Sequence, residues 1–307
     1  LNATTERENT DMGIDTFSLE NDFQRLELAP SLGAAITAWE WKTAGGGAPL
    51  LRPWNRKTPD RYTTACFPLI PWSNRITAGG FEVDGKHYPV KPNREGEAYP
   101  IHGDGWLQPW TVEGRTHDRV TLTLESDRFD DNPYTYRGVM HIALLDDGMT
   151  IDLSATHLGE APLPYGLGLH PYFPRDGRTR LRARADGVWL SGDDPIPVRH
   201  TSEFPAGWDY NQPSPLDGDL IDNGFSGWDG EALIEWPDRK LSLRMTMLPN
   251  SGFSLLFRPP GQAYFCFEPI THPIDAFHMP GRPGMAMLKR GDTVGFSTRF
   301  CVGSMPV

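Results

Sequence analysis

Val120-Thr121-Leu122-Thr123-Leu124 sets an apolar residue at every second position, the spacing of a strand with one face in a core and one toward water. Working outward, residues 140–155 read as two such strands joined by Asp146-Asp147-Gly148, where glycine supplies the positive φ of a tight turn. Residues 232–236 and 241–247 flank Pro237-Asp238-Arg239-Lys240, residues 254–257 and 263–267 flank Pro259-Pro260-Gly261, and residues 81–83 and 87–90 flank Asp84-Gly85. Each pair predicts a hairpin. No helical pattern extends beyond two or three turns. Short strands at regular spacing with turn residues between them predict an all-β chain, a sandwich or a barrel.

The composition agrees with a large folded body. Of 307 residues, 38% are hydrophobic and ten are Trp, enough apolar material for an extensive core. Glycine and proline, 32 and 29 in number, stand well above average usage yet below low-complexity levels, which suits many turns. No linker or internal repeat divides the chain, so one domain over residues 16–307 is expected, preceded by a polar leader at 1–15. The net charge of −11 argues against nucleic acid or an anionic membrane as partner, since both are held by clustered Lys and Arg. No apolar run is long enough to span a bilayer. The first residues lack the apolar core of a secretion signal, so the glycosylation pattern Asn2-Ala3-Thr4 carries little weight. Cys66, Cys266 and Cys301 form no Cys-x-x-Cys pair. Free, mostly buried thiols in a cytoplasmic protein are the expectation.

Three segments concentrate chemistry: residues 67–76 with 101–106, residues 164–174, and residues 265–273. Glu268 follows an aromatic strand and precedes Pro269, which is expected to stop the sheet ladder and leave the carboxylate at a strand end, facing either a cleft or plain solvent. His170 lies in a glycine-rich aromatic run, where its neighbours set its charge; a core histidine bonded to a backbone carbonyl is the competing assignment. His102 opens the turn Gly103-Asp104-Gly105-Trp106, in which backbone and indole can approach a ligand. Irregular stretches at 52–64, 91–108 and 191–219 are long enough to carry function.

Metal chemistry gains no support: there is no His-x-His and no His-Glu-x-x-His, and His272 and His278 are six residues apart. Glycine fingerprints for dinucleotides, a phosphate loop and a Gly-x-Ser-x-Gly elbow are also missing. What remains is acid–base chemistry beside aromatic faces, which suits a sugar. Trp72, Trp106, Trp208 and Trp228 lie in loop-like contexts, each more readily core or rim than stacking platform.

Asn74-Arg75-Ile76, then His102-Gly103, then Gly168-Leu169-His170-Pro171-Tyr172-Phe173, then Glu268-Pro269, with Leu220-Ile221-Asp222-Asn223-Gly224-Phe225 between the last two, resemble the aldose 1-epimerase (mutarotase) family in order and spacing over roughly residues 25–303. The resemblance implies a large antiparallel β-sandwich and a reaction without cofactor or metal. It implies Glu268 as catalytic base and His170 as catalytic acid, the former as carboxylate and the latter as imidazolium, acting on O1 and O5 of a pyranose. It further implies His102 on the ring-oxygen side and Arg75 and Asp222 on substrate hydroxyls, with Asn74 and Trp106 as additional substrate contacts. Outside the family, Arg75 would be a loop salt bridge and Asp222 a turn cap. Pro171-Tyr172-Phe173-Pro174 departs from the Ser-Tyr-Phe-Asn of the galactose-converting branch, which leaves the preferred sugar open. No cluster of Lys and Arg is seen near the motifs beyond Arg75 and the chain is acidic, so a free neutral aldose is expected. The alternatives are a hexose-phosphate 1-epimerase, a non-catalytic sugar-binding sandwich and a sugar-cleaving enzyme, although cleavage uses two carboxylates and only Glu268 sits in a strong motif. A monomer or homodimer is expected.

Overall fold

A computed structural model of the chain describes residues 13–305; most of the expected leader and the Asn2-Ala3-Thr4 pattern lie outside the described residues. Strands dominate, all paired antiparallel, and the helical elements among the described residues are single 3-10 turns. Among the described residues no helix is long and apolar enough to cross a membrane.

The fold is a large antiparallel β-sandwich. One sheet has nine strands. Its middle runs through Glu231–Trp236, Leu241–Leu248, Thr293–Ser304, Gly148–His157, Thr135–Leu145 and Arg119–Asp127. The Arg119–Asp127 strand alternates buried and accessible residues along its whole length. In the hairpin after it, Leu145 faces Gly148. Gly148 has φ +148°, and a Cβ there would stand 2.0 Å from the Phe300 carbonyl oxygen. Close backbone approach therefore demands glycine at this position.

The second sheet has eight strands and carries Gly187–Ser191, Ile221–Ser226, Phe253–Arg258, Tyr264–Ile270, Gly168–Leu169 and Pro68–Leu69 in that order, with Tyr172–Pro174 also paired to Tyr264–Ile270. A four-stranded sheet, Phe17 to Leu51, packs on the nine-stranded one through Trp39 and Phe300, whose rings meet edge to face at 5.6 Å. Between the two large sheets lies a continuous core to which Met245, Phe296 and Phe300 contribute from one side and Phe173, Phe265 and Phe267 from the other.

The Tyr264–Ile270 strand decides which face Glu268 occupies. Phe265 and Phe267 enter the main core, whereas Cys266 and Ile270 belong to a second apolar cluster on the opposite face, with Phe67, Ile101, Tyr172 and Leu255. Period two then puts Glu268 on that opposite face. Full burial of each phenyl ring is worth roughly 1.5–3 kcal/mol, which helps offset the cost of holding a carboxyl group out of water one residue away.

This strand does not end at Glu268, as the following proline suggests. Pro269 stays in register opposite Ser254 and Ile270 pairs with both Phe253 and Gly168. The missing N–H is tolerated because the neighbouring strand is itself interrupted at His170-Pro171, between Gly168–Leu169 and Tyr172–Pro174. Glu268 is accordingly an interior residue of a central strand, 1% exposed.

Candidate active site

That interruption also explains how the two leading candidates meet. Gly168 faces Ile270 and Tyr172 faces Cys266, so the register is the same on both sides of the break. Carried through it, His170 stands directly opposite Glu268, as a cross-strand pair on one face. The His170 Nε2 lies 3.4 Å from Glu268 Oε1. The imidazole packs against two neighbouring rings, Phe67 and Tyr172, each with its centroid 4.7 Å away, and the His170 backbone N–H donates to the Phe67 carbonyl at 3.0 Å.

The opposite wall comes from the 67–76 and 101–106 segments, which are stapled together. The His102 N–H donates to the Asn74 carbonyl at 2.9 Å, and the Asn74 N–H donates to His102 Nδ1 at 3.0 Å. Since Nδ1 accepts, the ring carries its proton on Nε2. Both Asn74 and His102 sit in the left-handed region, at φ 55° and 62°. Gly103 follows at φ +69°, where a Cβ would fall 2.0 Å from the Ile70 carbonyl oxygen. The next residue, Asp104, is a buried hub: Tyr136 Oη, Ser126 Oγ, Gln108 Nε2 and Asn132 Nδ2 all donate to its carboxylate, at 2.7–3.1 Å.

Arg75 projects from the same wall. Its Nε donates to Glu97 Oε2 at 3.1 Å, its Nη2 to Glu97 Oε1 at 3.3 Å and its Nη1 to Asn74 Oδ1 at 3.2 Å, with Asp222 Oδ2 3.8 Å from Nη1. Asp222 comes from the Ile221–Ser226 strand, opposite Phe257. These side chains enclose one cavity of about 300 Å3, to which Asn74, Arg75, His102, His170, Asp222 and Glu268 all contribute.

Burial governs the electrostatics. It pushes the Glu268 carboxyl well above the usual carboxylate range, a shift that the Asp222 charge reinforces and Arg75 opposes. Burial likewise lowers the His170 imidazole, helped by the Arg52 and Arg94 guanidiniums. His102 is lowered by burial and by the charges of His170, Arg75 and Arg94. Asp222 is raised, chiefly by burial, with Arg75 opposing. For Arg75 burial is the largest influence and lowers it, but Asp222 and Glu97 together outweigh that and raise it. Both shifts oppose the carboxylate–imidazolium ion pair expected from the residue types; that ion pair and the neutral pair each hold one proton.

A profile of the aldose 1-epimerase family matches residues 15–301. The chain belongs to the aldose 1-epimerase family. Among its relatives, Escherichia coli YphB is 33% identical over 284 residues, covering 90% of this chain and 95% of the relative. Human galactose mutarotase is 26% identical over 242 residues, covering 70% of this chain and 66% of that protein. A crystal structure from Escherichia coli K12 superposes with a TM-score of 0.90 at 31% identity, over 95% of this chain and all of the other.

Six of the seven residues singled out from the sequence therefore line one cavity in this aldose 1-epimerase family member. Trp106 does not. Its indole N–H donates to the Gly103 and Ile101 carbonyls at 3.0 and 3.3 Å, closing its own turn, and its ring stacks on Phe67 behind the cavity wall. Trp72 and Trp228 are core residues, and Trp208 packs on the core from its edge. His272, from the third motif, is structural: Nε2 accepts from the Ser73 N–H and Nδ1 meets the Pro273 carbonyl.

The cavity also contains residues outside the motifs. Tyr62 comes from the 52–64 stretch, Arg94 and Glu97 from 91–108, and Phe257 and Tyr264 from the sheet, beside Tyr172 of the 168–173 motif. Arg94 stacks on Tyr62, 3.5 Å from its ring centroid, and Arg52 stacks behind on Tyr172 and Tyr264. Arg75 is therefore not the only cation at the site. The signal available in the sequence was the length of the two loops, without any mark on individual residues; the third long stretch, 191–219, lines none of this cavity.

Proposed function

We propose that the chain is an aldose 1-epimerase, interconverting the α and β anomers of a free aldose by acid–base ring opening. The observation that carries this reading is the opposition of His170 and Glu268 at 3.4 Å within one sugar-sized cavity. O1 and O5 of a pyranose share C1, so the groups that serve them must lie close together and on one side of that carbon. A base removes the O1 proton, an acid delivers one to O5, the C1–O5 bond breaks to the aldehyde, and rotation about C1–C2 precedes reclosure with the roles reversed. In our reading Glu268 is the base and His170 the acid. Moving one proton from the Glu268 carboxyl to His170 Nε2 prepares that arrangement without changing the net charge of the site.

The remaining residues suit positioning. His102 presents Nε2–H as a fixed donor for the ring-oxygen side, and Arg75 and Asp222 flank the space for substrate hydroxyls. Three buried polar atoms of the cavity residues lack a hydrogen-bond partner, Glu268 Oε2, Tyr62 Oη and His170 Nδ1. Leaving such atoms unpaired costs about 1–3 kcal/mol each, a cost that hydroxyls of a bound sugar would relieve.

Exchange NMR on glucose and galactose tests the reading, with saturable acceleration of α–β exchange expected. Binding without acceleration would leave only a sugar-binding sandwich. The pH profile is a second expected result. The active pair holds one proton, so the rate falls when it gains a second or loses the one it has. With His170 lowered and Glu268 raised, the acid limb of kcat/KM should lie well below 6.5 and the alkaline limb well above 4.5. An acid limb at or above 6.5 would contradict the assignment. His170→Asn should lower kcat by about 10²–10⁴-fold; retention of the full rate would remove it from the chemistry.

A further inference from the structure

Arg94 changes the electrostatic question posed by the cavity. With Arg75 it brings two guanidiniums to one side of the space, an arrangement suited to phosphate or carboxylate. Glu97 stands between them. Its two oxygens accept from Arg75 Nε and Nη2, and Oε1 lies 3.7 Å from Arg94 Nη1. With Asn74 Oδ1 on Nη1, three of the five Arg75 donors are engaged before any ligand enters. Asp222 supplies the second acidic side chain of this wall. Two cations thus meet two carboxyl groups, and an anionic substituent placed here would face both of the latter.

We infer that Glu97 determines the substrate class of the cavity: by occupying the Arg75 fork and facing Arg94, it admits uncharged aldoses and rejects aldoses that bear phosphate or carboxylate. This rests on the epimerase reading and adds a specificity residue to it. Glu97 does not touch the reacting atoms. It positions Arg75, and its own charge sets the sign of the wall.

The test compares anomer exchange of glucose and galactose with that of glucose 6-phosphate and glucuronate, each corrected for uncatalysed exchange, in the wild type, Glu97→Gln and Glu97→Asp. The wild type should favour the neutral sugars in kcat/KM. Glu97→Gln preserves size and one acceptor but removes the charge, so the anionic-to-neutral ratio should rise about tenfold or more. Glu97→Asp should keep the wild-type ratio. Because the ratio is internal to one protein, partial loss of folded material does not move it. An unchanged ratio in Glu97→Gln, or a wild type that already prefers the anionic sugars, overturns the role of Glu97 while leaving the epimerase reading intact. No acceleration of any of the four sugars overturns both.

Discussion

Glu268→Gln should abolish most anomer exchange and at the same time make the protein harder to unfold. The amide fills the same space on the same strand but cannot take a proton from O1, so kcat should fall by about 10²–10⁴-fold, the usual contribution of a positioned base. The stability effect has the opposite sign. Burial raises the Glu268 carboxyl in the folded protein above its ordinary value, so the folded state holds the proton more tightly than the unfolded one. Stability tied to that proton is fully present below the unfolded value of about 4.5 and is lost as pH rises through the folded value. At neutral pH the wild type therefore carries a cost that the glutamine lacks. Urea denaturation at pH 7 should show a higher midpoint for the variant, with the difference shrinking toward pH 4. A variant with wild-type exchange would take Glu268 out of the reaction, and one less stable at pH 7 would contradict the burial argument.

Asp104→Ala should be the most damaging single change outside the cavity. Four buried donors, from Tyr136, Ser126, Gln108 and Asn132, converge on this carboxylate. Removing it leaves them unpaired together, and at about 1–3 kcal/mol for each buried donor a loss of at least about 3 kcal/mol is expected even after partial relaxation. Asp104 is two residues from His102, and its backbone N–H donates to Ile70 at 3.1 Å, so exchange activity should fall with stability. A shift in unfolding free energy under about 1 kcal/mol would show that the hub is dispensable.

The strands were legible in the sequence because they follow from local rules. Alternation marked residues 120–124, and turn residues bounded the hairpins. The ordered motifs located Glu268 and His170, although the register that makes them opposite neighbours depends on pairing no local pattern reveals. Trp106 was misjudged because an indole beside a glycine turn looks available until the carbonyls that engage its N–H are known. Residue type gives a charge in water, whereas burial, which raises Glu268 and lowers His170, acts on it in the fold. Arg94 and Glu97 lie between motifs, in a loop whose path is set by side-chain contacts that no periodicity marks, such as the Asn93 side chain bridging Ile101 and Gly103.

The alternation along Tyr264–Ile270 has a consequence for how such a protein can diverge. Deleting or inserting a single residue there would exchange the two faces, sending a carboxyl group among phenyl rings and a phenyl ring to the sugar, so reaction and folding would fail in one event. The loops that deliver Tyr62, Arg94 and Glu97 bear no such double duty. Sequence changes in them can reshape the cavity wall without disturbing the register that sets His170 opposite Glu268.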